Sequence, residues 1–191
     1  MTQNTKNAEK IVGFDLDGVI IDHSSAKILL ANKFGFTIDK ENTSSDKFKL
    51  IIPKSSLREI QSILYDKTHD QPLFNGAKQV LMKMIKNKTK LYLISRRRAG
   101  VAREMAIIIL KKRGLWPQVF NEKNVYFVET PEEKNLNAGK LGVTHYIDDE
   151  KGVLAIINSV PNKFLFDPFN TGEKSDYYKV NTWKELEKII S

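Results

Sequence analysis

This sequence predicts an α/β protein of three layers, a parallel sheet with helices on both faces, plus a small α-helical cap inserted after the first strand. Three observations carry the prediction. Short apolar runs rich in β-branched and aromatic residues recur along the chain, with segments of helical spacing between them. Such alternation implies βαβ units and a sheet covered on both sides. The alternation breaks once, between Asp22 and about Pro72, where two helical stretches appear and no strand pattern does.

In chain order, "KIVGF" (from Lys10, up to Asp15) opens as a buried strand, because it is short and has no helical period. The break follows, with "SSAKILLANKFG" and "SSLREIQSILYD" as helices joined by polar loops around Asp39 to Asp46 and His69 to Pro72. Its position at the end of the first strand suits a lid. The core is expected over residues 1–22 and 71–191, and the cap over 23–70. Further strands are expected at "KLYLIS" (Lys90 to Ser95), "NVYFVE" (Asn124 to Glu129), "THYID" (Thr144 to Asp148) and "KFLFD" (Lys163 to Asp167). Helices are expected from Gly76, Gly100, Pro131 and Glu150; Pro131 suits a first helical turn, and Gly114 and Gly142 suit helix ends. Thr182 and Glu185 form a capping box before the last helix, "LEKII".

Composition narrows the function. The chain has 191 residues, room for one core with a modest insertion, and no apolar run approaches the roughly 20 residues of a membrane helix. With no Cys, disulfides, thiolate zinc sites and cysteine nucleophiles are all excluded. The polar start "MTQNTKNAEK" lacks the apolar stretch of a secretory signal, so a cytoplasmic location is expected. The net charge of +8 is uneven: twelve Lys or Arg stand against one acid, Glu104, from Lys78 to Arg113. Such a run serves either as a solvated face or as a patch that attracts anions. No zinc finger, RNA-binding aromatic signature or internal repeat is present, and no obligate protein partner is expected.

Ligands of parallel sheets sit at the carboxyl ends of the strands. Those ends carry Asp15 and Asp17, Ser95, Glu129, and Asp148 with Asp149. Unpaired, each buried carboxylate would cost several kcal/mol. A hard divalent cation resolves the conflict, and oxygen ligands of this kind suit Mg²⁺.

"DLDGV" at Asp15 to Val19, a strand ending in Ser95, a downstream Lys, and "IDD" at Ile147 to Asp149 stand in the order of the four motifs of the haloacid dehalogenase-like superfamily, which this sequence resembles from about Ile11 to Leu154. The resemblance implies a Rossmann-like core with a helical cap and a phosphohydrolase. It makes Asp15 the nucleophile and Asp17 the general acid and base. Ser95 would hydrogen-bond the transferring phosphoryl group, with Arg96 and Gly18 beside it as substrate-binding residues; of the consecutive Arg96, Arg97 and Arg98, one or two are expected to reach substrate and the rest to be surface. Metal ligands would be Asp15, the main-chain carbonyl of Asp17, and Asp148, with Asp149 ligating through water or orienting the lysine. Ile147 stands where the superfamily has glycine, which leaves open which of the two acids contacts the metal.

Simpler readings exist for each motif. Asp17-Gly18 is also a tight-turn signal, Ser95 a helix N-cap, and Asp149 a cap of the helix that follows. Lys134 and Lys140 compete as the motif lysine. Lys134 is preferred because it lies just after the third strand, whereas Lys140 is almost two turns further along. His145 is expected to pack within its strand, and His23 to stand near substrate. The leading function is hydrolysis of a phosphate monoester, the substrate being small and phosphorylated, or a nucleotide or nucleic-acid end. A phosphomutase or phosphotransferase would use the same residues, and a non-catalytic phosphate-binding module would keep only the site. A dehalogenase would not call for Asp17, since it has no leaving alkoxide to protonate.

Overall fold

The computed structural model describes residues 9–171 and 175–190, so the first eight residues, on which the expectation about the polar start rests, lie outside it. Six strands form one sheet in the order β3-β2-β1-β4-β5-β6, and all pairings are parallel. They are β1 (Ile11–Phe14), β2 (Lys90–Arg96), β3 (Val125–Val128), β4 (His145–Asp148), β5 (Asn162–Phe166) and β6 (Tyr178–Val180). The central strand β1 lies between β2 and β4, so the three acid-bearing or basic strand ends that matter below are neighbours.

Side chains alternate across the sheet and feed two cores. On one face Val12, Phe14, Leu93, Ile147 and Phe166 pack with α4 (Ala77–Lys86), α5 (Val101–Lys112) and α8 (Trp183–Ile190). Trp183 anchors this layer, stacked on Phe14 at 5.5 Å with its indole N–H donated to the Val19 carbonyl at 3.0 Å. On the other face Ile94, Tyr146 and Leu165 pack with α6 (Pro131–Lys140) and α7 (Lys151–Ile156). The three-layer expectation therefore holds.

Between β1 and α4 the chain forms α1 (Ser24–Lys33), a 3₁₀ turn (Lys40–Thr43), α2 (Ser45–Ile51) and α3 (Lys54–Asp66). These helices share an apolar cluster of their own, including Leu30, Phe48, Ile60 and Leu64. The segment leaves and rejoins the core at one place: Asp22 N–H donates to the Pro72 carbonyl at 2.9 Å, and Ile21 bridges Leu73.

Three local expectations need correction. The stretch 39–46, read as a polar loop, contains the 3₁₀ turn and the start of α2; its polar composition hid a helix that buries only Phe48. Strand β6 went unread because it has three residues and pairs with β5 alone. At α8 the Thr182 hydroxyl accepts the Glu185 N–H as a capping box requires, but the Glu185 carboxylate reaches back to Asn181 N–H, one residue before the cap.

Candidate active site

Asp15 leaves β1 with its N–H on the Ile147 carbonyl at 2.9 Å, which sets it beside Asp148 at the end of β4. Lys134 joins the two. Its Nζ donates to Asp15 Oδ1 at 2.8 Å and to Asp148 Oδ2 at 2.7 Å, and all three residues are buried. The local sequence explains the reach of Lys134. Thr130 caps α6 by accepting the Glu133 N–H, and Pro131 occupies the first turn, so the helix starts right after β3 and turns Lys134 inward. Beneath the ammonium lies the Tyr146 ring, 5.7 Å away, whose hydroxyl donates to the Ile94 carbonyl. That ring fits because position 13 is glycine: a Cβ there would stand 2.7 Å from it. Lys140 is exposed, as the helical spacing implied.

Carboxylate oxygens of Asp15, Asp148 and Asp149 lie within 4.8 Å of one another. Asp149 Oδ2 accepts a hydrogen bond from Ser45 of α2 at 2.6 Å, and Asp148 Oδ1 accepts the Glu150 N–H at 3.0 Å. Burial pushes the Asp148 carboxyl up to about 7, against the pull of Lys134 and with the help of the Asp15 charge. Burial, with Glu150 and Asp148 nearby, drives Asp149 well above the carboxylate range too. Burial would lower Lys134, but Asp148 and Asp15 outweigh it and hold the ammonium charged. Lys134 is the one cation hydrogen-bonded to this cluster among the described residues; with Lys27 and Arg96 acting only at longer range, the three acids stay under-compensated. Buried hard oxygen donors with excess negative charge are the donor set that a divalent cation such as Mg²⁺ fits.

Asp17 is held differently. Arg97 donates from Nε to Oδ2 at 2.8 Å and from Nη2 to Oδ1, and His23 Nε2 lies 2.6 Å from Oδ1. Burial alone would raise the Asp17 carboxyl, but Arg97 and His23 outweigh it and keep it well below the usual range. Tyr65 of α3 covers this group, its ring 4.5 Å from the Arg97 guanidinium and edge-on to His23 at 5.8 Å.

The remaining expected residues fall as follows. Gly18 donates its N–H to the Ile21 carbonyl at 3.0 Å, so that group is already used in the turn. What the position demands is close approach: at φ +85°, a Cβ would stand 2.2 Å from Asp149 Oδ2. Ser95, in β2, is buried and its hydroxyl has no hydrogen-bond partner among the described residues. Arg96 lines the cavity beside the acids but is tied to both oxygens of Glu150 at 3.0 Å, with Lys49 on the same carboxylate. Glu129 is exposed and 3.6 Å from Arg103. His145 is half-buried against Phe164. Sequence reasoning missed Glu150, Ser45 and Tyr65; Arg97, in a run with Arg96 and Arg98 of which one or two are expected to reach substrate, holds Asp17, and His23, expected near substrate, also lies on Asp17.

A cavity of about 440 Å³ opens between α2, α3 and the strand ends, reaching Asp15, Asp17 and Lys134. Of the basic run from Lys78, only Arg96, Arg97 and Arg98 line it; Lys86, Lys88 and Lys90 stand at the amino end of β2, the opposite edge of the sheet. No described helix is long and apolar enough to cross a membrane.

A parallel sheet with this strand order, covered by helices on both faces and carrying a helical insertion after β1, has the haloacid dehalogenase-like fold, which solved structures share. The chain is similar to a HAD-superfamily hydrolase from Ehrlichia chaffeensis (16% identity, 94% of this chain and 95% of that one, TM-score 0.56). It is also similar to a HAD family hydrolase from Deinococcus radiodurans with bound phosphate and sodium (14%, 94% and 93%, 0.61), and to a HAD-hydrolase from Bacillus subtilis bound to magnesium (14%, 95% and 98%, 0.62). Others with this fold are named as a dehalogenase and a β-phosphoglucomutase, so the fold alone leaves the chemistry open. No protein-family model and no curated protein matches the sequence.

Proposed function

We propose that this protein is a Mg²⁺-dependent phosphatase that hydrolyses a small phosphate monoester through an aspartyl-phosphate on Asp15. The observation that carries the reading is the Lys134 bridge between Asp15 and Asp148, with Asp149 within 4.8 Å and Asp17 two residues on. Asp15, Asp148, Asp149 and the main-chain carbonyl of Asp17 would hold the cation, which supplies charge neutralisation for the phosphoryl group.

Lys134 fixes the Asp15 carboxylate and leaves Asp15 Oδ2, which also accepts the Asp17 N–H at 3.1 Å, as the oxygen to attack phosphorus. The bond to the substrate oxygen breaks as the Asp15–phosphorus bond forms. Asp17 then protonates the departing oxygen and later takes a proton from the water that releases phosphate, restoring Asp15. The unpartnered Ser95 hydroxyl and the Arg96 N–H groups that Glu150 leaves free offer donors to the phosphoryl oxygens. For Asp17 to act as an acid, the grip of Arg97 and His23 must loosen when substrate arrives. The helices over the cavity form a cap that leaves room for the water of the second step in a space of about 440 Å³.

Turnover of 4-nitrophenyl phosphate with Mg²⁺, abolished by chelation and by Asp15→Asn, tests the reading. Phosphate binding without turnover would make the protein a binding module, and capture of the phosphoryl group by an added alcohol in place of water would make it a phosphotransferase.

A further inference from the structure

The cavity is more cationic than a phosphate monoester requires. Seven cationic side chains line it against four carboxylates, Asp15, Asp17, Glu129 and Glu150, a formal surplus of three positive charges. Asp148 and Asp149 with a divalent cation cancel, so the surplus stands. The dianion of a phosphate monoester uses two of those charges. One is left over.

Its location is specific. Lys134, Arg97, Arg96, Lys49 and Arg98 each bond a carboxylate, and Lys27 donates to the Thr43 carbonyl at 2.8 Å. Arg58 makes no hydrogen bond, ion pair or ring contact among the described residues. It lies on α3 with Gln61, Ser62 and Tyr65, positions i, i+3, i+4 and i+7, one face of the helix, and all four line the cavity. The opposite face carries Ile60 and Leu64 into the apolar cluster of the cap, so α3 is held with its polar stripe toward the cavity. Tyr65 at one end of the stripe sits over Arg97 and the catalytic aspartate, and Arg58 lies two turns further along the helix.

We propose that the organic part of the substrate carries a second acidic group, a carboxylate or a second phosphate, which Arg58 binds with the Gln61 amide beside it, the Ser62 hydroxyl being spent on Asp66 at 3.0 Å. A guanidinium takes either group through paired N–H donors. The proposal rests on the phosphatase reading for which end of the substrate meets Asp15, and it makes Arg58 a specificity residue with no part in the chemistry.

Two matched pairs of ligands test it by calorimetry on the Asp15→Asn protein with Mg²⁺, where no turnover intervenes. One pair is 3-phosphoglycerate against glycerol 3-phosphate, and the other is fructose 1,6-bisphosphate against fructose 6-phosphate. The doubly acidic member of at least one pair binds about ten-fold tighter or more, and which pair discriminates tells carboxylate from phosphate. Arg58→Ala in the same background abolishes the difference. In the otherwise unaltered enzyme, Arg58→Ala raises KM for the preferred ligand by a similar factor and leaves kcat and 4-nitrophenyl phosphate turnover within about two-fold. Equal affinity within both pairs, or an Arg58→Ala loss shared by both members, overturns the proposal. If 4-nitrophenyl phosphate is not hydrolysed, the phosphatase reading fails, while the binding comparison still decides whether the cavity selects a second acid.

Discussion

Arg97 grips both carboxylate oxygens of Asp17 from just beyond the end of β2, while His23 Nε2 sits 2.6 Å from one of them. The arrangement fixes where Asp17 points and keeps it ionised, because a carboxylate so paired holds its proton poorly; the proposed acid role requires that grip to loosen.

Asp17→Asn therefore separates the two half-reactions. With 4-nitrophenyl phosphate, whose leaving group departs without a proton, the variant gives a burst of about one nitrophenolate per enzyme and then stalls, since no base activates water. With an alkyl phosphate there is no burst, and turnover falls by roughly 10²–10⁴-fold. Rapid-quench measurement of both substrates checks this. A variant that turns over both at the parental rate would remove Asp17 from the mechanism.

Lys134 is the only cation hydrogen-bonded to Asp15 and Asp148 among the described residues. Removing one partner of a buried ion pair costs about 3–5 kcal/mol, because the other charge stays buried and unpaired. Lys134→Ala is expected to lose that much in metal-free denaturant melts, and part of the loss returns with saturating Mg²⁺, which neutralises the same two acids. A metal-independent loss would mean that the lysine acts by packing alone.

The pH dependence of the site follows from burial of Asp148, which lifts its carboxyl from 3.8 to about 7. Between those values the folded chain binds a proton that the unfolded chain has released, so this group makes stability fall as pH rises from about 4 through about 7. Mg²⁺ needs the carboxylate, so its affinity moves the other way and rises through the same window. Calorimetry at pH 6 in buffers of different ionisation enthalpy is expected to show proton release on Mg²⁺ binding, from Asp148 and from Asp149, whose carboxyl burial also raises. Proton uptake, or affinity that is flat with pH, would contradict the assignment.

Much of this site could be read from residue order alone, for a definable reason. Asp15 and Asp148 sit at strand ends and Lys134 in the first turn of the helix after β3, where parallel topology leaves a side chain few places to go. Lys134 was separable from Lys140 because helical rise puts six residues about 9 Å apart. The arginines were not separable. Arg96, Arg97 and Arg98 are identical and consecutive, yet one binds Glu150, one Asp17 and one Asp66. Which does which depends on where β2 stops pairing and how the chain turns, and no local pattern encodes that. The same limit hid α2, whose Ser45 reaches Asp149 from 104 residues away.

Gly18 gives the sharpest test of how closely the turn after β1 is fitted to the cluster of Asp15, Asp148 and Asp149. It and Gly35 share nearly the same left-handed backbone, φ +85° and +83°, so alanine at either costs about 1–2 kcal/mol in backbone strain. Their surroundings differ: a Cβ at 18 meets Asp149 Oδ2 at 2.2 Å, and one at 35 meets nothing within 4 Å. Gly35→Ala is the internal control, expected to lower the melting temperature and leave Mg²⁺ affinity unchanged. Gly18→Ala must in addition push the Asp149 carboxylate away from Asp15 and Asp148, so it is expected to weaken Mg²⁺ binding by about ten-fold or more. Should the two variants lose stability equally and bind Mg²⁺ equally, Asp149 would play no part in holding the cation, and Asp15 and Asp148 would remain as its carboxylate ligands.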